Sequence, residues 1–213
     1  MRTERVVVDR ECPDPAAIAA AAAVLRGGGL VAFPTETVYG LGALAWDAVA
    51  VRRIFAAKGR PEGKPLIVHL SRAEQAVEVA RHIPHAASLL MERFFPGPLT
   101  LVLPRQPRLP EAVTAGGDTV AVRLPDHAVA RALIEAVGPI AAPSANRSGE
   151  RSAISAEDVL NDLAGRIEMV LDAGPSPLQR PSTVVDLTTD PPRVVREGAV
   201  PVQVLRAYLP NLT

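Results

Sequence analysis

The chain has 213 residues, of which 48% are hydrophobic and 22% charged, and its 23 basic and 23 acidic side chains balance. This length and composition suit one globular domain with a sizeable core. Zero net charge excludes a global field that would hold the chain on nucleic acid or an anionic membrane. An aromatic content of 3% is too low for a reader of single-stranded nucleic acid, which needs stacking platforms.

Cysteine usage and the N-terminal sequence indicate where the protein works. Cys12 is the single cysteine, which excludes an internal disulfide framework and a cysteine-based zinc site. The charged N-terminus does not resemble a signal peptide, and no apolar run reaches the roughly 20 residues of a membrane span. We therefore expect a reduced, cytoplasmic setting without membrane contact.

Helix starts are marked by capping residues in chain order. Asp14 before Pro15 predicts a first helix that ends at the glycines of 27–29. Further helices are predicted after Pro84 and over 201–209. Four other starts are predicted from single caps or capping pairs at Asp47, Ser71 with Glu74, Asp126, and Ser155 with Asp158.

Predicted strands alternate with these helices. They lie over 5–9, 29–33, 66–70, 99–103, 119–124, 140–142, 167–172, 182–187 and 193–196. The last two predict a hairpin, and alternation in 119–124 puts Thr119, Ala121 and Arg123 on one face. Residues 104–118 predict a long mobile loop, either a lid or a plain solvated loop. This order predicts a three-layer α/β domain with a mixed twisted sheet over residues 1–213, without a further C-terminal domain.

A loop rich in hydroxyl groups follows the strand predicted over 29–33. Thr35, Thr37 and Tyr39 lie in this loop, and Gly40 and Gly42 after it allow close backbone approach. Loops at the ends of strands are where α/β sheets bind small molecules. With the cations that come next in the chain, this loop predicts a site for an anionic ligand such as a nucleotide phosphate chain.

Three cations occupy a turn rich in Gly and Pro at the end of the helix that Asp47 begins. Lys58, Arg60 and Lys64 could converge on one polyanion, since Arg grips phosphate bidentately and Lys acts as a point charge. A solvated basic turn explains the same spacing equally well. His69 on the next strand is either part of the site or a core histidine.

Polar residues in the second half of the chain leave similar alternatives open. Arg123 fits either a ligand contact or an interior salt bridge, and Ser144 and Asn146 fit either ligand binding or a turn. Ser182 and Arg196 are uninformative by themselves. The sequence lacks the phosphate loop, the dinucleotide fingerprint, HExxH and the GxSxG elbow. If ATP binds, cations and hydroxyl groups outside the common nucleotide folds must hold it.

Seven sequence blocks in family order, from about residue 28 to about residue 198, resemble the YrdC family of threonylcarbamoyl-AMP synthases. The blocks are FPTETVYGLG, KGRPEGKPLIVH, FFPGPLTLVL, TVAVRLPDH, APSANRSG, PSTVVD and VVREGA. The resemblance implies an open twisted mixed sheet flanked by helices, with a large concave site. It also implies that L-threonine, bicarbonate and ATP give L-threonylcarbamoyl-AMP and pyrophosphate. The product then serves modification of the tRNA adenosine beside the anticodon, with transfer by a separate complex.

The resemblance also implies roles for individual residues. Threonine is expected to bind at Thr37, His69, Arg123, Ser144 and Ser182. The nucleotide is expected to bind at Arg60, Lys64, Thr119, Asn146 and Arg196. Lys58 joins Arg60 and Lys64 as the catalytic cations, as a candidate for phosphate or bicarbonate contact. Magnesium is expected to accompany ATP, with no organic cofactor and no metal held by protein ligands.

One departure from the family pattern affects the nucleotide site. The family usually has Ser-Pro-Thr where this chain has Ser152, Ala153 and Ile154, so a hydroxyl contact from the third position is lost. Ser152 or a backbone group is expected to take its place.

Two other functions are alternatives to the synthase. The related carbamoyl-AMP-forming domain of hydrogenase maturation belongs to chains with cysteine-rich zinc motifs, and this chain has one cysteine. A module that binds double-stranded RNA is the second alternative, since the family's concave face is positively charged. Zero net charge makes it the weaker expectation.

Overall fold

The computed structural model describes residues 2–213, in which helices and strands interleave from end to end. The strands are β1 (Glu4–Val7), β2 (Val31–Phe33), β3 (Gly40–Leu44), β4 (Ile67–His69), β5 (Leu99–Pro104), β6 (Thr119–Arg123), β7 (Ile140–Ala142), β8 (Met169–Asp172), β9 (Thr183–Asp186) and β10 (Arg193–Arg196). The α-helices are α1 (Pro15–Arg26), α2 (Ala48–Lys58), α3 (Ala76–Val79), α4 (His85–Phe94), α5 (Glu111–Thr114), α6 (Ala128–Val137), α7 (Ala156–Leu163) and α8 (Val202–Arg206). A 3₁₀ turn over Ala73–Gln75 precedes α3.

The strands form one open mixed sheet in the order β1-β8-β2-β3-β7-β4-β6-β5-β9-β10. Four neighbouring pairs are parallel, namely β1 with β8, β8 with β2, β4 with β6, and β5 with β9. The other pairs are antiparallel, including the predicted hairpin of β9 and β10. The predicted three-layer α/β fold with a mixed sheet is confirmed.

The two faces of the sheet are covered unequally. On one face a continuous core packs α2, α3, α4, α5, α7 and α8 against the strands. On the other face, α1 and α6 pack on each other and on β2, β7 and β8. Val68, Val122 and Val185 point into the first core, so strand alternation turns His69 and Arg123 to the second face. There the sheet from β4 to β10 forms a concave surface beside α1 and α6.

Local signals explain several helix starts. Asp14 accepts a hydrogen bond from the backbone of Ala16, and the Asp47 carboxylate caps α2. Ser155 and Asp158 form the predicted reciprocal capping box at the start of α7. The longest helix, α1, has 12 residues, and within the described residues none is long and apolar enough to cross a membrane.

Two predicted caps are wrong. Ser71 and Glu74 form no capping box, because the Ser71 hydroxyl lies 2.5 Å from a carboxylate oxygen of Glu135 on α6 and donates to it. Asp126 does not cap α6 either. His127 occupies the N-cap position, and no side chain bonds the first turn. At Ser71 a tertiary contact with α6 overrides the local pattern. At α6 the N-cap lies one residue later than predicted.

The prediction of an unstructured loop over 104–118 is also wrong. Its middle forms α5, and Leu109 and Val113 are buried in the core. The backbone amide of Leu66 donates to the carbonyl of Val113 over 2.8 Å, which ties α5 to the start of β4. Burial of these two side chains turns a segment that looks solvated in the sequence into part of the core.

Candidate functional site

A cavity of about 280 Å³ lies on the concave surface between β4 and β10. Its floor consists of strand residues that alternate with the core, among them Ile67, Ala121 and Val184, and loops form its rim. Seven of the residues expected at the site line it, namely Arg60, His69, Arg123, Ser144, Ser152, Ser182 and Arg196. Residues from both halves of the chain therefore meet in one place, as expected for a small-molecule site.

The hydroxyl loop between β2 and β3 forms one wall of this cavity. The Thr35 hydroxyl donates to the carbonyl of Val38 over 2.6 Å. The hydroxyl oxygens of Thr35 and Thr37 lie 2.9 Å apart. This closes a tight, fully buried turn in which Thr35 and Val38 face the cavity. Thr37 is buried beside them without lining the cavity.

His69 sits at the end of β4 beneath an aromatic ring. The Phe33 ring meets the imidazole edge-on at 5.9 Å between centroids. A Cβ on Gly42 would come within 2.9 Å of the Phe33 ring, so glycine allows the ring to cross β3. Burial, helped by the charge of Arg123, lowers the pKa of His69 to about 3. The imidazole is therefore neutral at physiological pH, and its Nδ1 is buried without a hydrogen-bond partner.

Three guanidinium groups face the cavity. Burial lowers the pKa of Arg60, and burial followed by the nearby charge of Arg123 lowers the pKa of Arg196. Within residues 2–213, Arg60 and Arg196 form no ion pair, whereas Arg123 pairs with Glu36. Arg60 is half-buried and Arg196 is exposed at the rim. Guanidinium groups without an acidic partner at a cavity favour an anionic ligand, which would supply the missing negative charge.

The end of the cavity opposite β4 is lined by residues of β9, β10 and the segment before β9. Arg196 donates to the backbone carbonyl of Ser182 over 2.9 Å, and the Ser182 hydroxyl lies 2.8 Å from that of Thr100. The predicted hairpin thus brings Ser182 and Arg196 together, although neither is informative by itself in the sequence.

Lys58 lies behind the cavity wall. Its ammonium group donates to the backbone carbonyl of Ser144 over 2.6 Å and to that of Asn146. The Lys58 carbonyl in turn accepts from the amide of Ser148 over 2.9 Å. Burial, followed by the charge of Arg60, lowers the pKa of Lys58 to about 8. The lysine thus fixes the loop after β7.

Three further expected residues do not line the cavity. Asn146 is buried and donates to the carbonyls of Arg147 and Glu150, while its Oδ1 has no partner. Lys64 is exposed, and Thr119 is half-buried at the start of β6. A ligand larger than the cavity, or a movement of these side chains, is needed for direct contact.

A second depression adjoins the cavity at Ser152. Its volume is also about 280 Å³, and Glu150, Arg151, Ile154 and Asp158 are among its lining residues. Ser152 lines both depressions, so a ligand that occupied both would pass this hydroxyl group. Within the described residues, no group of three His, Cys, Asp or Glu side chains could hold a metal ion.

Sequence reasoning missed Glu36 as a site residue. It lies within the hydroxyl loop, is 7% exposed, and pairs with Arg123. A carboxylate among apolar and hydroxyl side chains was the available signal, because such a group is buried only with a partner.

Comparison with known proteins shows which family this chain resembles. The model of the family Sua5_yciO_yrdC, described as "Telomere recombination", matches residues 23–198. The threonylcarbamoyl-AMP synthase of Pyrococcus abyssi is 53% identical over 184 residues, which cover 86% of this chain and 54% of the relative. The threonylcarbamoyl-AMP synthase of Bacillus subtilis is 48% identical over 215 residues, or 98% of this chain and 62% of the relative.

A solved structure gives the same result. The crystal structure of P. abyssi Sua5 complexed with L-threonine superposes with a TM-score of 0.96 at 48% identity, over 99% of this chain and 63% of that one. The chain therefore spans between about half and two thirds of the length of the relatives named above.

Proposed function

The chain belongs to the Sua5/YciO/YrdC family, and we propose that it makes L-threonylcarbamoyl-AMP from L-threonine, bicarbonate and ATP, with release of pyrophosphate. The observation that carries this proposal is the convergence of Arg60, Arg123 and Arg196 on one cavity. All three substrates carry a negatively charged group. The product serves threonylcarbamoyl modification of the tRNA adenosine beside the anticodon, through a separate transfer complex.

We assign threonine to the end of the cavity near β4 and β6. Arg123 receives the substrate carboxylate, because it lines the cavity and its contacts with Glu36 and the Gly97 carbonyl do not use all of its N–H groups. The remaining contacts in this proposal come from His69, Ser144 and Ser182, which line the cavity, and from Thr37, which lies behind the lining and would have to move to reach threonine. The neutral imidazole of His69 can exchange a hydrogen bond without repelling the ammonium group. The L-threonine complex of P. abyssi Sua5 supports threonine as the ligand.

We assign the nucleotide to the side of Arg60 and Arg196. Lys64, Thr119 and Asn146 are its further expected contacts, and Ser152 lies where the nucleotide would pass into the second depression. The residues that line the first cavity include no carboxylate, whereas Glu150 and Asp158 line the second depression. In this proposal magnesium would arrive with ATP and be held by phosphate oxygens.

In this reaction the protein aligns the substrates and neutralises their negative charges. The threonine amine bonds to the carbon of bicarbonate and water leaves, which gives a carbamate. A carbamate oxygen then bonds to the α-phosphorus, and the bond to the pyrophosphate oxygen breaks. Arg60 and Arg196 balance the charge that shifts to the leaving group, while Lys58 holds the loop that carries Ser144.

The two alternatives are less well supported. A cavity of about 280 Å³ suits small molecules, and its arginines line an enclosure rather than a broad surface that a duplex could touch. Relatives named threonylcarbamoyl-AMP synthase favour a threonine-dependent reaction over one that uses carbamoyl phosphate. Both alternatives predict that no threonine-dependent pyrophosphate is formed.

The test is pyrophosphate release from ATP, with threonine and bicarbonate omitted in turn. Release is expected only when all three substrates are present, and Arg123→Ala is expected to abolish it at low threonine. Arg52→Ala removes an exposed arginine on α2 and serves as the matched control. Release that does not depend on threonine would refute the synthase, and a duplex RNA gel shift with steep salt dependence would then favour the binding module.

A further inference from the structure

Glu36 is an acidic residue in the loop between β2 and β3, behind the residues that line a site suited to anions. Its side chain belongs to the turn that Thr35 closes, and the residue is 7% exposed. The backbone carbonyl of Glu36 accepts from the amide of Leu178, which fixes the loop from outside. The carboxylate is therefore held in place by its own loop and is not free to turn to solvent.

The contact between Glu36 and Arg123 is a close, buried ion pair. Oε2 of Glu36 lies 2.7 Å from Nη2 of Arg123. Nε of Arg123 donates to the carbonyl of Gly97 over 3.2 Å, so the guanidinium group is held from two sides. These two contacts do not use all the N–H groups of the guanidinium, and Arg123 therefore keeps donors for a ligand.

The ion pair also divides the cavity electrostatically. Arg123 shares its charge with Glu36, whereas Arg60 and Arg196 have no acidic partner within residues 2–213. The Arg123 end therefore has part of its positive charge compensated, and the other end carries uncompensated positive charge. A ligand with one carboxylate and one ammonium group matches the first end, and a polyphosphate matches the second.

We propose that Glu36 is a positioning residue for Arg123 and makes this end of the cavity selective for a zwitterionic amino acid over polyanions. Glu36 holds the guanidinium against the Gly97 carbonyl and cancels part of its charge. Arg123 then directs one remaining donor to an amino-acid carboxylate without attracting phosphate. This inference rests on the proposed function and adds to it a residue that decides which substrate occupies which end.

The test separates threonine from polyanion binding. Glu36→Gln keeps the shape and removes the charge, and it is expected to raise KM for threonine by about tenfold or more while KM for ATP stays within about twofold. In calorimetry, inorganic pyrophosphate is expected to compete with L-threonine in this variant but not in the unsubstituted chain. Glu92→Gln, which removes an exposed carboxylate on α4, is the matched control.

Two further outcomes make the inference falsifiable. Equal increases of both KM values, or an unchanged KM for threonine, would overturn it. If Glu36→Gln does not fold, Glu36→Asp retains the charge but retracts it, and an unchanged KM for threonine in that variant would overturn it as well. Failure of the unsubstituted chain to form threonine-dependent pyrophosphate would instead refute the proposed function, so the two failures are distinguishable.

Discussion

Replacement of Lys58 by methionine is expected to destabilise the protein although it removes a buried charge. Burial and the charge of Arg60 lower the pKa of Lys58 from 10.5 to about 8. At about 1.4 kcal/mol per pKa unit, the ammonium group costs about 3 kcal/mol in the folded state. Methionine avoids that cost and fills a similar volume.

The lost hydrogen bonds outweigh this gain. The ammonium group donates to the carbonyls of Ser144 and Asn146, and each bond from a charged donor contributes about 1.5–3 kcal/mol. The two bonds together contribute about 3–6 kcal/mol, and neither carbonyl gains a new donor from methionine. We therefore expect Lys58→Met to lower the free energy of unfolding by up to about 3 kcal/mol.

Urea denaturation measures this change, and initial rates measure its effect on the site. KM for threonine and KM for ATP are both expected to rise, because Ser144 and Asn146 are expected to bind different substrates. Lys64→Met is the control, since Lys64 is exposed, and its stability is expected to change by less than about 0.5 kcal/mol. An unfolding free energy for Lys58→Met equal to or above that of the unsubstituted chain would refute the reasoning.

Three other predictions follow from the site and the sheet. Arg123→Ala is expected to weaken threonine binding by about tenfold or more and Arg60→Ala to weaken ATP binding similarly, and calorimetry showing the reverse pattern would contradict the assignment. Because the folded pKa of His69 lies near 3 and its unfolded pKa near 6.5, stability is lost as pH falls through this window. His69→Gln is expected to remove about 2 kcal/mol of that loss at about pH 5, so parallel profiles of unfolding free energy against pH would disprove it. A Cβ on Gly198 would overlap the backbone of Pro181 and Ser182, so Gly198→Ala is expected to lower the free energy of unfolding by about 1–3 kcal/mol in urea denaturation. A Cβ on Gly63 would meet open space, so Gly63→Ala is the control and is expected to leave the free energy of unfolding nearly unchanged. Equal effects of the two substitutions would contradict the packing described for Gly198.

Most helices could be predicted because their signals are local. The Asp47 carboxylate accepts from the amides of Val49 and Ala50 at the start of α2, and Ser155 with Asp158 forms the capping box of α7. Strand β3 could not be predicted, because its sequence Gly-Leu-Gly-Ala-Leu lacks alternation and its glycines belong to a turn pattern. The Phe33 ring and the flanking strands make it a strand, and neither is visible locally.

The resemblance of the seven sequence blocks to the family predicted some residues of the candidate site better than others. The resemblance pointed to Arg123 and Arg196, which line the cavity. It did not distinguish Lys58, which holds a loop, from the cations that line the cavity. The partners of Lys58 are backbone carbonyls 86 and 88 residues further along the chain. Nor did it single out Glu36, since pairing across the sheet depends on the tertiary fold. Composition and spacing describe which groups exist, and the sheet order decides which of them meet.

The order of strands in the sheet has a consequence for biosynthesis. The first strand pairs with the eighth, Glu4 beside Met169, and the cavity wall runs from Thr35 to Arg196. A chain emerging from the ribosome therefore carries an unpaired first strand until β8 has been synthesised, and an incomplete cavity until Arg196 has been synthesised. Contacts of such long sequence separation fold slowly. Substrates cannot stabilise a shorter nascent chain through the complete site, and ligand binding at that site begins only after β10 has emerged.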